Sequence, residues 1–422
     1  MNELWQKIKN HSILAKNTGY LSIIELFRLA LPFIALPYII RTVGAENYGI
    51  AIFAQTIISY FSIVISFGLD ISAVKDVSVN RDNPAELNKI VSAVLSIKLI
   101  LFLLSFGVIL AGLLFVPFFE DNKALMLFAF LTCLSDFLLP VWFYQGIEKM
   151  KYLTLVKSLS IVFYTVTVFI FVKQADDYPI FVLLQSLGNV VAAFVAIWLL
   201  VKVNKVKFVR VPWAYMWLKF KESVPFFLSR LSDTFNSAMA KTVSGVFFSM
   251  EAVAAFDLAQ KIAKVAQIPM QMLNQAAYPH VAKSRDVRFV RKFFTLNVGL
   301  SAVVALMVYL LAPIAIHIFA GDQMPEAITL TRILSVWVFV AGITIFIGAP
   351  VLVAFGYPKP FNNSVILSSV CLALIYFGMY ATNILSIYMF AVALFLSEVV
   401  ILVYRLYYCN KYGLISLRRI KG

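Results

Sequence analysis

Charged residues are scarce in this chain of 422 residues, at 14% of the total, whereas an ordinary soluble domain carries about a quarter. Apolar residues make up 62%. One core of ordinary size could not bury that much apolar surface, and a shell facing water needs far more charge. The composition therefore excludes a soluble enzyme and a soluble nucleic-acid-binding protein.

Sequence motifs of catalysis and metal binding are also lacking. The chain has 3 cysteines, and their positions form neither a disulfide framework nor a metal-ligand spacing. It has no Walker A motif, no G-x-S-x-G and no H-E-x-x-H. We therefore expect a protein that is not an enzyme, with no metal site, no cofactor and no ATPase of its own.

Long apolar runs are what the chain has instead. Polar residues divide it into twelve apolar segments, each long enough for a transmembrane helix of roughly 20 residues. The segments run without strict alternation, which favours helices over barrel strands. The sequence therefore predicts an all-α polytopic membrane protein with twelve transmembrane helices. The predicted spans are Gly19–Ile40, Tyr48–Leu69, Asn88–Val116, Lys123–Gln145, Tyr152–Val172, Pro179–Val201, Glu222–Phe248, Ala252–Pro279, Lys292–Ile318, Ile328–Val353, Asn362–Ala381 and Leu385–Tyr408.

The basic residues indicate the orientation of these spans. If the N-terminus is cytoplasmic, the cytoplasmic segments hold 25 of the 36 lysines and arginines, whereas the outside loops hold only Arg41, Lys123 and Lys173. This asymmetry follows the positive-inside rule and predicts that both termini are cytoplasmic. The net charge of +15 is then mostly a topology signal and does not indicate nucleic-acid binding.

The longest cytoplasmic loop predicts how the chain is divided. Residues 202–221 would link an N-terminal lobe of six helices, residues 1–201, to a C-terminal lobe of six helices, residues 222–422. Because six is even, the two lobes would have the same orientation in the membrane.

When residues at the span ends are set aside, and with them Arg405, which the charge count groups with the cytoplasmic tail, thirteen charged residues fall inside the predicted spans. Each costs roughly 2.5–3.5 kcal/mol at a helix centre on insertion scales, so they are expected to line a protein interior or a wet cavity. The cations are Arg28, Lys98, Lys157, Arg230, Lys241, Lys261, Lys264 and Arg332, and the acids are Glu25, Asp136, Asp233, Asp257 and Glu398.

Helical spacing gathers many of these residues on common faces, predicted to line a cavity between the lobes. One face of the eighth span holds Asp257, Lys261, Lys264, Gln267, Gln271 and Asn274. One face of the seventh holds Arg230, Asp233, Ser237 and Lys241, and in the first span Glu25 and Arg28 can pair. Since cations outnumber acids inside the membrane, we expect an anionic ligand such as a phosphate or pyrophosphate.

Structural explanations remain open for the same residues. Lys98, Asp136 and Glu398 are each alone in their spans and could form interhelical ion pairs. Both polar faces could be packing interfaces between helices. Asp233 or Asp257 could instead take part in coupling to an ion gradient.

Two stretches are more specific than apolar periodicity. One is Pro37-Tyr38-Ile39-Ile40-Arg41-Thr42-Val43-Gly44-Ala45-Glu46-Asn47-Tyr48-Gly49, followed by Gln55. The other is Trp142-Phe143-Tyr144-Gln145-Gly146-Ile147-Glu148-Lys149-Met150-Lys151-Tyr152. Both resemble hallmark segments of the Wzx-type polysaccharide flippases of bacteria, and Phe256-Asp257-Leu258-Ala259-Gln260-Lys261-Ile262 is similar to this family's second-half repeat. The family belongs to the multidrug/oligosaccharidyl-lipid/polysaccharide exporter superfamily, and the resemblance covers essentially the whole chain.

This resemblance implies a MATE-like pair of six-helix bundles that works by alternating access in the bacterial inner membrane. The implied passenger is an undecaprenyl-pyrophosphate-linked O-antigen repeat unit, moved from the cytoplasmic to the periplasmic leaflet. The resemblance also implies coupling to an ion gradient, as in an antiporter. Membrane lipid is an implied partner, and the polymerase and chain-length proteins of the O-antigen pathway are further candidates.

The resemblance and the charges together suggest roles for seven residues. Arg28, Arg230, Lys261 and Lys264 would bind the pyrophosphate, while Glu25, Asp233 and Asp257 would hold these cations or couple an ion. The alternatives are an O-antigen polymerase, a membrane-embedded glycosyltransferase, and a multidrug exporter of the same superfamily. The excess of cations argues against the exporter. The short outside loops argue against the polymerase, and the lack of an acidic metal motif argues against the glycosyltransferase.

Overall fold

The computed structural model of the protein describes residues 31 and 33–415, and their regular elements are all helical. This confirms the prediction of an all-α polytopic membrane protein. The helices are α1 (Phe33–Val43), α2 (Ala45–Ser66), α3 (Leu69–Val79), α4 (Pro84–Phe115), α5 (Pro117–Asp121), α6 (Lys123–Leu138), α7 (Val141–Gly146), α8 (Met150–Phe171), α9 (Tyr178–Lys202), α10 (Trp213–Phe247), α11 (Met250–Ala266), α12 (Ile268–Ser284), α13 (Val287–Ala320), α14 (Glu326–Phe346), α15 (Pro358–Ala381) and α16 (Ile387–Lys411), with a 3₁₀ turn at Ala175–Asp177 and a π-helix at Ile347–Val353.

Nine helical stretches among the described residues are long and apolar enough to cross a membrane. They include α2 with α3, α6 with α7, and α14 with the π-helix. The predicted seventh span overlaps α10, and the predicted eighth span overlaps α11 and α12. These helices are richer in polar residues than the nine stretches and are not among them. Most of the predicted first span lies outside the described residues, so the count of twelve stays a prediction.

Local sequence explains where several helices begin. Asn83 caps α4, because its side-chain oxygen accepts a hydrogen bond from the Glu86 amide at 3.2 Å and Pro84 occupies the first turn. Ser249 caps α11 in the same way. Gly44, with φ of 82°, lies between α1 and α2, in a backbone region that favours glycine.

The described residues form two compact units. The first contains the described residues up to Gly44 together with Val64–Ser223, and the second contains Ala45–Ile63 together with the described residues from Val224 onward. Most of α2 therefore groups with helices of the second half of the chain. The lobe boundaries expected from the loop at residues 202–221 stay a prediction.

The core of the first unit includes the second hallmark segment. Trp142, Phe143 and Tyr144 on α7 are at most 1% exposed. The Tyr144 hydroxyl donates a 2.6 Å hydrogen bond to the Ala196 carbonyl, and a Cβ on Gly146 would lie within 2.6 Å of Val77. These residues of the segment thus hold α7 against α3 and α9.

The second unit has its own core on α12–α14, the π-helix and α16. Phe346, Ile347 and Val351 are fully buried in it. Pro350 lies inside the π-helix, and a proline has no amide hydrogen to donate to the regular helical ladder. This break in α-helical bonding lies directly after α14.

Candidate functional site

Two of the seven predicted site residues, Glu25 and Arg28, lie outside the described residues. The other five lie on α10 and α11, in the second unit. The structure brings Lys261 and Asp257 into direct contact, whereas Arg230, Asp233 and Lys264 lie at more exposed positions.

The spacing suggested that the polar face of the eighth span continues along one helix. The structure divides this face between two helices. The helix is interrupted at Gln267, which lies between the end of α11 and the start of α12, and Pro269 follows in the first turn of α12. The ionic residues Asp257, Lys261 and Lys264 lie on α11. The neutral residues Gln271 and Asn274 lie on α12, so the break separates the charged part of the face from the amide part.

An ionic cluster is centred on Asp257, whose side chain is 4% exposed. Its Oδ1 contacts Lys241 Nζ at 3.1 Å, and its Oδ2 contacts Lys261 Nζ at 2.8 Å. The Tyr48 hydroxyl donates to Asp257 Oδ2 at 2.8 Å and accepts from Lys261 Nζ at 2.7 Å. The ammonium group of Lys261 also lies 5.3 Å from the centroid of the Tyr48 ring.

The glycine beside Tyr48 explains how this hydroxyl comes near Asp257. A Cβ at Gly49 would overlap the carbonyl oxygen of Met250, the first residue of α11. Only a residue without a side chain allows α2 to lie this close to the start of α11. The Asn47-Tyr48-Gly49 end of the first hallmark segment therefore supplies both the contact and the space that it needs.

The cluster keeps an excess of positive charge. Asp257 balances one of its two lysine partners, and Lys264 lies one turn beyond Lys261 on α11. Lys264 is exposed, and no carboxylate of the described residues lies within 4.0 Å of it. An exposed lysine facing lipid in the middle of a span would be costly, so this position favours an aqueous or anion-containing space.

The polar face of α10 divides between two environments. Lys241 joins the Asp257 cluster, and the Ser237 carbonyl accepts a 3.1 Å hydrogen bond from the Gln260 amide. Arg230 and Asp233 are exposed further toward the start of the helix. They are near enough to interact electrostatically, but they form no ion pair within 4.0 Å in the described structure.

Arg405 is a correction: the charge count groups it with the cytoplasmic tail, although position 405 falls within the predicted span Leu385–Tyr408, and the structure places it inside a helix. The residue lies on α16 and is 5% exposed. Its Nη1 donates to the Thr344 carbonyl at 2.8 Å, its Nε donates to the Ser364 hydroxyl at 2.9 Å, and its guanidinium lies 4.5 Å from the Phe361 ring. Partners on two other helices, α14 and α15, therefore surround a buried cation that its local sequence places at a membrane edge.

Two of the lone charges in predicted spans have structural partners. Lys98 is fully buried, and its Nζ lies 2.6 Å from Asp70 Oδ1 and 3.1 Å from the Asp136 carbonyl. Glu398 accepts a short hydrogen bond from the Thr344 hydroxyl. These contacts agree with the interpretation of both residues as parts of interhelical contacts.

Sequence reasoning missed Tyr48 and Arg405 as members of buried polar groups. Tyr48 could have been suspected, because it lies within the first hallmark segment and carries a hydroxyl. No local signal marks Arg405. No group of three or more His, Cys, Asp or Glu side chains that could hold a metal ion occurs among the residues for which the structure is described.

Comparisons with known proteins place this geometry in a family context. Two relatives, both named "Putative O-antigen transporter", come from Escherichia coli (strain K12) and Shigella dysenteriae. The first is 26% identical over 87% of this chain and 90% of its own length. The second is 22% identical over 77% of this chain and 86% of its own length.

Among solved structures, the fold is similar to the inward-facing conformation of a multidrug resistance MATE family transporter of the MOP superfamily. The TM-score is 0.73 at 15% identity, over 93% of this chain and 96% of that one. At this identity the likeness shows the fold alone, and it confirms the MATE-like architecture. Both relatives and this structural neighbour are named as transporters.

The family model described as "Polysaccharide biosynthesis protein" matches residues 14–285. The match includes both hallmark segments and the whole of α11, so it contains all four residues of the ionic cluster, Tyr48, Lys241, Asp257 and Lys261. It also confirms the resemblance to polysaccharide flippases drawn from these segments. The chain belongs to the polysaccharide biosynthesis protein family.

Proposed function

We propose that this protein is an O-antigen flippase, which moves an undecaprenyl-pyrophosphate-linked repeat unit from the cytoplasmic to the periplasmic leaflet of the bacterial inner membrane. The observation that carries the proposal is the excess of positive charge around Asp257: this carboxylate pairs with both Lys241 of α10 and Lys261 of α11, and Lys264 lies one turn beyond Lys261. Family membership and the printed names of the two relatives support the same passenger.

The chemistry of the passenger suits a cationic site inside the membrane. A lipid-linked sugar has a charged, hydrated head and an apolar tail, so only the head needs a polar path through hydrocarbon. Lysine ammonium groups attract a pyrophosphate as point charges and can release it again. In this proposal the tail stays in lipid, both chain termini are cytoplasmic, and two six-helix lobes, residues 1–201 and 222–422, alternate in access.

In this proposal the four cations have different roles. Lys264 is the first pyrophosphate contact, because it is exposed and has no described carboxylate within 4.0 Å. Lys261 is 37% exposed and forms an ion pair with Asp257. It is the second pyrophosphate contact, and Asp257 holds its ammonium group in position. Arg230 with Asp233, and Arg28 with Glu25, stay proposed contacts further along the path.

Coupling to an ion gradient is a further part of the proposal. Asp257 has two lysine partners and one hydroxyl partner, so it is held as an anion that positions cations. Asp233 is exposed and has no ion pair within 4.0 Å among the described residues, which makes it the better position for reversible ion binding. The polymerase and chain-length proteins of the pathway are proposed partners that would receive the flipped unit.

The test replaces Lys264 by Ala and, separately, by Arg in a host strain deleted for the chromosomal gene. We expect K264A to reduce long-chain O-antigen on lipopolysaccharide by about tenfold or more, as the loss of one charge-assisted contact implies. The charge-preserving K264R should retain most of it. Lipid-linked units should accumulate in the cytoplasmic leaflet in the K264A strain.

The matched control is Lys123→Ala, because Lys123 is 56% exposed and its nearest acid, Glu120, lies 3.8 Å away. Membrane levels of each variant are measured by immunoblot, so that loss of protein is not read as loss of transport. A normal O-antigen ladder from K264A at normal protein level would contradict the pyrophosphate assignment. Lipopolysaccharide capped with a single repeat unit in the deletion strain would instead indicate a polymerase.

A further inference from the structure

A second polar site lies on α12, beyond the helix break at Gln267. A cavity of about 370 Å³ is lined on this helix by Gln271, Asn274, Gln275 and Tyr278. The opposite wall consists of Ile345 on α14 together with Ala349 and Pro350 of the π-helix. The lining residues carry amides, a phenol and apolar groups, and none carries a formal charge.

One lining residue of this cavity, Asn274, belongs to a buried pair of amides that are only partly hydrogen-bonded. Asn274 is 3% exposed, and its Oδ1 accepts a 3.0 Å hydrogen bond from Asn297 Nδ2. The remaining polar atoms of the two side chains, Asn274 Nδ2 and Asn297 Oδ1, have no hydrogen-bond partner among the described residues. Reversing both amides exchanges donor and acceptor but leaves one atom of each side chain unpaired, so the conclusion does not depend on their orientation.

Two further buried polar groups on these helices lack a partner among the described residues. Gln267 Nε2 at the helix break and the Ser301 hydroxyl on α13 are also buried without a described partner. Ser301 contacts Gly342 on α14, where a Cβ would overlap the hydroxyl. A buried polar group without a partner is costly, and such groups in a native structure indicate a missing hydrogen-bonding partner.

The shape and chemistry of the cavity select one class of occupant. A cavity of this volume falls within the range of about 300–1,000 Å³ that is usual for small-molecule sites. Amide groups can both donate and accept hydrogen bonds, as the hydroxyl groups of a sugar can, and the Tyr278 ring offers an apolar face. No carboxylate or cation lines it, which disfavours a bound ion.

We propose that this α12 cavity binds a neutral sugar ring of the passenger, with Gln271 and Asn274 as its principal hydrogen-bonding side chains. The inference rests on the proposed function, because it takes the passenger to be a lipid-linked oligosaccharide. It assigns two parts of the passenger to two different helices of the second unit. The lysines on α11 bind the pyrophosphate, and the amides on α12 bind the carbohydrate next to it.

The test measures binding to the purified full-length protein in lipid nanodiscs. One probe is the lipid-linked oligosaccharide extracted from the inner membrane of the deletion strain, and the other is unglycosylated undecaprenyl pyrophosphate. The variants are Gln271→Ala and Asn274→Leu, and the control is Asn363→Leu, an exposed amide on α15. Q271A changes an exposed side chain, so it carries the test if N274L does not fold.

We expect the wild type to bind the glycosylated probe about tenfold more tightly than the bare pyrophosphate, the preference that two net hydrogen bonds provide. Q271A and N274L should reduce this preference to about twofold or less while leaving the affinity for the bare pyrophosphate unchanged. Asn363→Leu should keep the full preference.

Other outcomes would overturn the inference. An unchanged preference in Q271A would show that the amides do not contact sugar and that the cavity holds water only. If a variant lost affinity for both probes equally, the replaced amide would have a structural role and not a sugar-binding one. Equal binding of both probes by the wild type would remove the sugar site and leave the flippase proposal intact, whereas binding of neither probe would contradict the flippase proposal itself.

Discussion

The buried hydroxyl of Tyr48 offers a sharp test of the ionic cluster. Tyr48→Phe keeps the ring, which is 1% exposed, and removes only the oxygen that joins Asp257 and Lys261. Asp257 keeps both lysine contacts in the variant. The perturbation therefore weakens the hydrogen bonding of the cluster without opening a cavity or changing its charge.

The size of the effect follows from the two hydrogen bonds that are lost. In soluble proteins, a hydrogen bond to a charged group contributes about 1.5–3 kcal/mol. Hydrogen bonds between membrane helices average about 0.6 kcal/mol, with a maximum near 1.7. For two bonds at a buried carboxylate we expect the free energy of unfolding to fall by about 1–3 kcal/mol.

The assay is equilibrium unfolding of the purified protein by a denaturing detergent, with Tyr60→Phe as the matched control. The Tyr60 hydroxyl lies 3.0 Å from the Thr242 hydroxyl, so this variant removes one neutral bond from the same helix. Its expected cost is about 0.5–1 kcal/mol. If Y48F is no less stable than Y60F, the hydroxyl of Tyr48 does not hold Asp257 and Lys261 in place, and the geometry argued for the cluster is wrong.

Two further changes probe the same region, each followed by membrane level and detergent unfolding. Asp257→Asn leaves two lysines without their carboxylate and should lower the free energy of unfolding by about 3–5 kcal/mol. Adding Lys241→Met to it should recover part of that loss, and no recovery would argue against their 3.1 Å pairing. Gly49→Ala places a methyl group on the Met250 carbonyl and should sharply lower membrane levels, whereas Gly107→Ala, with open space around its Cβ position, should not. Equal levels of the two glycine variants would contradict the close approach of α2 to α11.

The positions of most helices could be predicted from apolar run length alone. The predicted span Pro179–Val201 agrees closely with α9, and Ile328–Val353 agrees with α14 plus the π-helix. Run length succeeds because the bilayer imposes both the number and the apolar character of the residues that cross it. It does not reveal breaks such as Gln267, where helical residues continue on both sides and the interruption is local.

The partners of the charged residues were predictable only within one helix. Asp257 and Lys261 are four apart, so helical geometry alone brings them together. Tyr48 is 209 residues from Asp257 in the chain, and its contact depends on the packing of α2 against α11. The partners of Arg405 were likewise not predictable from its own helix. The adjacent tyrosines suggest a membrane edge, whereas its buried partners lie on α14 and α15.

The break at Gln267 gives a physical reason for two kinds of chemistry on one predicted span. A lysine needs a carboxylate or an anionic ligand to remain charged within a membrane. Asp257 pairs with Lys241 of α10 and Lys261 of α11, and Lys264 is left without an ion pair within 4.0 Å among the described residues, which is why we propose an anionic ligand there. An amide carries no such electrostatic cost but requires hydrogen-bonding partners, and on α12 Asn274 has one partner too few. Each helix therefore lacks something different, an anion on α11 and a hydrogen-bonding partner on α12. A pyrophosphate joined to a sugar supplies both in one molecule, whereas free phosphate would leave the amides unpaired and a neutral sugar would leave Lys264 uncompensated.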